Sequence, residues 1–241
     1  MGRGWEGMAL RMMRGRDFEF TVTGAEDVTA HCRRLNFADG GMLGSTGVHP
    51  TMWVRLWFPD AGRPHQRAYT LVDPDPAGGA FGIDFALHDG PASRWASTAG
   101  VGDTIQATVQ GSAFAAPDPT PARMFLVGDR ASAPAIGSLL RALPEVPATV
   151  WLETQHGSDE HLPLARTGRD HHDLRFVPRE NAGARLAAQV RTALPDLLGD
   201  PAEAYVWIAC DTATTRDLAR FVRRDLDVPK PRTHALGYWR P

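Results

Sequence analysis

The rhythm of the chain changes once, and that change limits the folds open to it. In the first half, apolar residues recur at every second position over short runs. Phe18, Phe20 and Val22 share one face of FEFTVTG (18–24), and Trp53, Arg55 and Trp57 oppose Val54, Leu56 and Phe58 in MWVRLWF (52–58). Period-two alternation is the mark of half-buried strands. Residues 18–24, 27–37, 52–58, 67–72, 80–87 and 103–110 form six such runs, separated by turn signals such as Ala-Gly-Arg-Pro (61–64) and Asp-Pro-Asp-Pro (73–76). Six short strands with a closing helix predict an antiparallel β-barrel. The cluster GGMLGSTG (40–47) lacks the spacing of a dinucleotide loop and reads as a barrel loop.

After the proline-rich stretch APDPTPAR (116–123) the pattern is different. Apolar strands at 124–127, 149–153, 174–178 and 204–210 alternate with helical stretches at about 132–143, 183–194 and 212–226. The last helix carries Leu218, Phe221, Val222 and Leu226 on one stripe. Alternating strands and helices predict a parallel, Rossmann-like α/β unit. The expectation is two domains, residues 1–117 and 118–241, the first a barrel and the second a doubly wound sheet.

Composition removes several functions. The net charge of −2 leaves no electrostatic reason to bind nucleic acid. Lys230 is the only lysine, and it stands in Val-Pro-Lys-Pro, which excludes a P-loop. Cys32 and Cys210 are too few for a disulfide scaffold and do not form a C-x-x-C pair, as expected of a reduced cytoplasmic protein. No apolar run reaches the ~18 residues of a membrane span. Trp5, Met8, Leu10, Met12 and Met13 form either a segment packed on the barrel or a hydrophobic lip for a lipidic ligand or the inner membrane face. His156, His161, His171 and His172 lie in polar loops and do not have the spacing of a metal site.

The residues that carry chemistry concentrate between Arg67 and Phe114. Strand alternation puts Arg67 and Tyr69 on one face and Thr70 on the other. A guanidinium clamps phosphate through two parallel hydrogen bonds, and a phenol ring can lie along a flat heterocycle. HDGPASRWASTAG (88–100) predicts a helix with Pro91 in its first turn. The free N–H groups near Ala92 and Ser93 then make an anion site, with His88 just before it and Trp95 one turn on.

Taken together, Arg67–Thr70 (RAYT), Ile83–His88 (IDFALH), Gly90–Ala96 (GPASRWA), the GDRASAPA stretch from Gly128 to Ala135, and Gly237–Arg240 (GYWR) resemble the siderophore-interacting proteins, which are flavin-dependent ferric-siderophore reductases. The opening MGRGWEGMALRMM is also similar to the start of the reductase domain of mycobacterial siderophore importers. The resemblance implies a ferredoxin-reductase-like fold, bound FAD and a ferric siderophore as substrate. It further implies that Arg67, Tyr69 and Thr70 hold the isoalloxazine and ribityl part, and that His88, Ala92, Ser93 and Trp95 hold the phosphates and adenosine. Ala68, Asp84, Gly90, Pro91, Asp129 and Ser132 complete the expected cofactor set.

No side chain is expected to act as catalytic acid or base, since the flavin carries the chemistry. The iron belongs to the substrate, and a siderophore importer at the membrane is an expected partner. Arg130, Lys230 and Arg240 are the candidate cations for an anionic ferric complex, with Tyr238 and Trp239 as shielding aromatics. The electron donor is left between NAD(P)H and ferredoxin, because Asp129 stands where nicotinamide reductases place a glycine-rich loop, and its charge repels a pyrophosphate unless Arg130 neutralises it. Asp129 is equally read as a helix-capping carboxylate. Cys210 is read as a buried, inert thiol or as a cysteine that approaches the flavin.

Overall fold

Alternating apolar residues build the first sheet. The computed structural model describes residues 15–60, 63–164 and 171–240. The predicted role of Trp5 and its neighbours lies outside these residues. The chain divides after Phe114 into two units. In the first, strands β1 (Arg16–Thr29), β2 (Cys32–Ala38), β3 (Trp53–Asp60), β4 (Arg63–Thr70), β5 (Val72–Asp75), β6 (Ala80–Ala86) and β7 (Thr104–Val109) form one antiparallel sheet. Their order is β4-β3-β7-β1-β2-β6-β5. Phe20, Phe37 and Phe81 cluster in its core, Phe37 stacked on Phe81 and Phe20 edge-on to Phe81 with ring centroids 4.9 Å apart.

The sheet has seven strands where the alternation pointed to six. The runs 18–24 and 27–37 are not two separate strands with a break at residues 25–26. Residues 16–29 form one long strand that absorbs a register shift between Val22 and Gly24, a bulge that reads as a turn in sequence. Asp73-Pro74-Asp75, which also reads as a turn, belongs to edge strand β5, where a missing proline N–H costs nothing. The glycine cluster is not all loop. It contains the short helix α1 (Met42–Thr46), whose start is held by the Asp39 carboxylate, which accepts from Gly41 N at 2.8 Å and Leu43 N at 2.6 Å.

Although β4 and β6 lie near opposite ends of the strand order, Tyr69 on β4 and Phe85 on β6 sit 4.6 Å apart, centroid to centroid. The sheet is therefore curled upon itself. Helix α2 (Pro91–Thr98) follows β6 and adds Trp95 to this layer, 5.7 Å from Phe58 and 6.1 Å from Phe85.

The second unit is built on a five-stranded parallel sheet. Its strands are β8 (Arg123–Asp129), β9 (Ala148–Thr154), β10 (His172–Pro178), β11 (Ala204–Ala209) and β12 (Thr233–Ala235), in the order β10-β9-β8-β11-β12. Helices α3 (Ala133–Ala142), α4 (Ala184–Leu198) and α5 (Thr212–Arg224) connect them. Leu218, Phe221 and Val222 of α5 are buried against Val127, Val206 and Ile208 in one cluster, with Leu226 packed at its margin. Among the described residues no helix is long and apolar enough to cross a membrane.

Candidate functional site

The curl of the first sheet brings β4 against β6 through Tyr69 and Phe85. Phe58, Tyr69, Phe85 and Trp95 form one continuous aromatic layer joining β3, β4, β6 and α2. Tyr69 and Trp95 pack against the core from its margin. Burial pushes the Tyr69 phenol far above its ordinary value, with the Arg67 charge opposing, so the ring is a neutral packing surface.

Arg67 is exposed. Its Nη1 donates to the Gln66 carbonyl at 2.8 Å, and among the described residues it has no carboxylate partner. Thr70 is buried beside it. At the start of α2, Gly90 occupies the N-cap position with no side-chain cap, and Pro91 follows. The Ser93 hydroxyl accepts from the backbone N–H of His88 at 2.9 Å, which ties the loop to the helix. The His88 ring contacts the Asp89 carbonyl instead of a partner across the site. Asp84 faces elsewhere. Both its oxygens accept from Arg34, at 2.6 and 2.9 Å. It anchors β2 to β6 through this bidentate pair.

The second unit presents a different arrangement at the carboxyl ends of its strands. Asp129 ends β8 and is buried. One carboxylate oxygen accepts from the N–H groups of Ala131 (2.9 Å) and Ser132 (3.2 Å), and the other from Trp239 Nε1 at 2.7 Å. Glu153, near the end of β9, pairs with Arg179 just beyond β10. Arg179 also lies 3.7 Å from Asp211 and 5.0 Å from the Trp239 ring. Asp211 caps α5, accepting from Ala213 N and Thr214 N. Three buried carboxylates thus share one guanidinium. Burial pushes the Asp129 and Glu153 carboxyls above their ordinary range, against the hydrogen bonds of Trp239 and Arg179 respectively. One Glu153 oxygen, Oε1, is buried with no hydrogen-bond partner.

The cation in the field of Asp129 is Arg179, and Arg130 makes no ion pair with it among the described residues. Ser132 hydrogen-bonds Asp129 through both its N–H and its hydroxyl. Gly128 is required for packing, since a Cβ there would meet Ser132 Oγ and Ile136. Cys210 is fully buried, and burial pushes its thiol up to about 12. Tyr238, Trp239 and Arg240 line one groove along α5, whereas Arg130 and Lys230 do not. Glu153 and Arg179 were not singled out from the sequence. The available signal was position, since both stand at carboxyl ends of parallel strands, where such sheets bind ligands.

A curled antiparallel sheet followed in the chain by a parallel sheet with an aromatic tail is the ferredoxin-reductase-like fold. A ferredoxin NADP+ reductase from Neisseria gonorrhoeae with bound FAD and NADP superposes with a TM-score of 0.70 at 16% identity, over 92% of this chain and 99% of that one. A siderophore-interacting protein from Acinetobacter baumannii matches with a TM-score of 0.78 at 21% identity, over 94% and 90% of the two chains. The family model for siderophore-interacting proteins matches residues 121–241, and that of the siderophore-interacting FAD-binding domain matches residues 45–112. The chain belongs to the siderophore-interacting protein family.

The chain is also similar to the mycobactin import ATP-binding/permease protein IrtA of Mycolicibacterium smegmatis, at 35% identity over 99% of this chain, and to that of Mycobacterium tuberculosis, at 32%. It spans about a quarter of the length of these relatives, 28% in both cases.

FAD is the cofactor of this domain family. Residues of the first unit fit such a group: Arg67 is exposed with no carboxylate partner among the described residues, α2 begins without a side-chain cap, and Tyr69 of β4 and Trp95 of α2 belong to one aromatic layer. A diphosphate meets positive charge and free N–H groups there.

Proposed function

We propose that the protein is an FAD-dependent reductase of ferric siderophores that releases iron as Fe(II) for assimilation. The observation that carries this reading is the open start of α2 beside β4, within a chain of this family. When bound, FAD supplies one-electron transfer to Fe(III), and hard oxygen ligands then hold the resulting Fe(II) far less well.

The side chains bind and orient. Arg67 clamps phosphate, and the N–H groups of Ala92 and Ser93 receive it from the other side. Tyr69 and Thr70 set the position of the ring and ribityl chain, with Ala68 and Gly90-Pro91 shaping the backbone around them. Trp95 stiffens Tyr69 through Phe58 and Phe85. Asp84 supports β6 through Arg34. Arg240, Tyr238 and Trp239 are the proposed contacts for the ferric complex, with Arg130 and Lys230 as more distant positive charges.

For the electron donor, the carboxyl ends of the parallel strands favour a protein such as ferredoxin over NAD(P)H. A nicotinamide dinucleotide at the start of α3 meets the Asp129 carboxylate and the Trp239 ring hydrogen-bonded to it. A membrane importer of siderophores is the proposed source of substrate, in keeping with the similarity to IrtA.

The test is anaerobic. FAD-loaded protein is offered NADH, NADPH and reduced ferredoxin in turn, followed by ferric hydroxamate or catecholate, and Fe(II) is captured with a coloured chelator. Rapid reduction by ferredoxin and Fe(II) in step with flavin reoxidation is the expected result. Fast nicotinamide oxidation with no Fe(II) would instead make the protein a general flavin reductase. Binding of the ferric complex without flavin would make it a carrier.

A further inference from the structure

Helix α5 carries Arg216, Arg220, Arg223 and Arg224, all exposed. With Arg240 of the tail they line a groove of about 790 Å³. Ala219, Ala235 and Leu236 add apolar surface to it, and Leu236 is one of the few large apolar side chains among the described residues that are exposed. The tail is held beside the helix by Gly237, where a Cβ would stand 3.0 Å from Thr212 Cα, and by Tyr238 N donating to the Cys210 carbonyl at 2.9 Å. The groove is thus a fixed feature of the fold.

Its charge is not offset within the described residues. Arg33, Arg34, Arg94, Arg175, Arg179, Arg185 and Arg191 each pair with a carboxylate, whereas Arg216, Arg220, Arg224 and Arg240 pair with none. Asp217, on the same helix, pairs with Arg191 of α4. Arg223 makes one long contact to the Thr233 carbonyl, and its charge adds to burial in holding the His234 imidazole below its ordinary value.

Arginines in the last turn complement the helix dipole, which accounts for Arg223 and Arg224. Arg216 and Arg220 lie further in, and the pairs 216/220 and 220/224 place like charges four residues apart, which destabilises a helix. Nothing else in the described residues compensates that arrangement. Arg216 to Arg224 spans about 12 Å along the helix, the reach of two or three linked phosphates with a sugar. The groove volume falls within the ~300–1,000 Å³ of small-molecule sites, and the guanidinium fork suits phosphate oxygens.

We propose that this groove binds a soluble organic diphosphate of nucleotide size. Arg216, Arg220 and Arg224 receive the phosphates from the helix side and Arg240 from the tail side. The organic part lies on Leu236 and the edge of Tyr238. The concavity favours such a ligand over the flat surface of an acidic protein or a membrane. None of the α5 arginines belongs to the proposed flavin set or to the proposed contacts of the ferric complex, whereas Arg240 and Tyr238 are shared with the latter, so the diphosphate and the ferric complex compete for the tail side of the groove.

The test uses the full chain saturated with FAD, so that the flavin site takes no probe. Calorimetric titrations with ADP, pyrophosphate and sulfate are compared with vesicles of phosphatidylglycerol and with polyglutamate. ADP is expected to bind more tightly than pyrophosphate, and sulfate weakly. The Arg216→Ala/Arg220→Ala variant is expected to lose at least about tenfold in ADP affinity, equivalent to one 1.4 kcal/mol step. Arg216→Lys/Arg220→Lys is expected to recover part of it. Unchanged flavin content and an unlowered melting temperature show that the variants are folded. No heat with ADP or pyrophosphate at about 1 mM overturns the proposal, as does equal ADP affinity in the double-alanine variant. Binding confined to vesicles gives the groove to a lipid surface, and binding confined to polyglutamate gives it to an acidic peptide. Either result also overturns it.

Discussion

Two helices in this protein begin in nearly the same way and end up with opposite surroundings. Both α2 and α3 have a proline in the first turn and small residues beside it, Gly90-Pro91-Ala92-Ser93 in one and Ser132-Ala133-Pro134-Ala135 in the other. Both follow a strand, the position at which α/β proteins hold phosphate. Neither helix has a side-chain cap at its N-cap residue, and in the first unit the Arg67 guanidinium has no carboxylate partner among the described residues. At α3 the preceding Asp129 is buried, accepts two backbone N–H groups and is covered by Trp239. A helix start is therefore an anion site only if its neighbours leave it one. By the proposed reading the first unit keeps its helix start open, while the strand before α3 in the second ends in a buried carboxylate covered by an aromatic ring.

The comparison can be broken most forcefully through the support of the open side. Asp84→Ala leaves the Arg34 guanidinium, little exposed, without its bidentate partner. A cost of about 3–5 kcal/mol is expected, read as a lowered midpoint in urea unfolding. If stability barely moves, the β2–β6 anchor is not what fixes the curl.

Next in size is Arg67→Ala. Loss of a charge-assisted contact to phosphate costs about 1.5–3 kcal/mol, or roughly ten- to a hundredfold in FAD affinity, with the fold intact by circular dichroism. Protein that stays yellow after desalting would count against the clamp.

On the filled side, Asp129→Asn removes the negative charge that this carboxyl carries above its raised folded-state pKa, so the comparison is made on the alkaline side of that pKa. Flavin reduction by NADPH is expected to rise by about tenfold, the worth of a single weakened repulsion of ~1.4 kcal/mol. Stopped-flow absorbance measures it, and an unchanged rate would mean that Trp239 alone closes the start of α3.

The acid cluster also gives stability a pH dependence. Burial raises the folded-state pKa of Asp129 and Glu153 above their ordinary 3.8 and 4.5. The unfolded chain releases these protons first as pH rises. Their contribution is therefore fully present below about pH 4 and is lost as pH climbs through the raised values, by at most about 1.4 kcal/mol per unit for each group. Glu153→Gln is expected to flatten the decline above about pH 4.5, measured by chemical unfolding at several pH values. A parallel profile would show that Glu153 does not titrate there.

The smallest effect concerns Cys210. Buried, and with its thiol pushed up to about 12, it should resist maleimide in the native state and react only on unfolding.

The sequence made the open site more legible than the filled one, for a physical reason. Arg67, Tyr69, Pro91 and Ser93 fall within one short run, so strand alternation and a proline-led helix start place them without tertiary knowledge. Arg179 meets Glu153, Asp211 and Trp239 only after strands distant in sequence pair in parallel. No local pattern marks that meeting. The same limit hid the role of Asp84, fifty residues from Arg34. The strand–helix rhythm was readable throughout, but β5 was not, because Asp-Pro-Asp has turn chemistry and only its edge position permits it as a strand. The bulge in β1 misled in the same way, since a register shift and a turn look alike in one dimension.

A crystal structure of the FAD complex tests the contrast between the two helix starts most directly. The expected result is a flavin diphosphate within hydrogen-bond distance of the N–H groups of Ala92 and Ser93 and of the Arg67 guanidinium, with Trp239 still donating to Asp129. A diphosphate bound instead at the start of α3, with Trp239 displaced, would contradict the account.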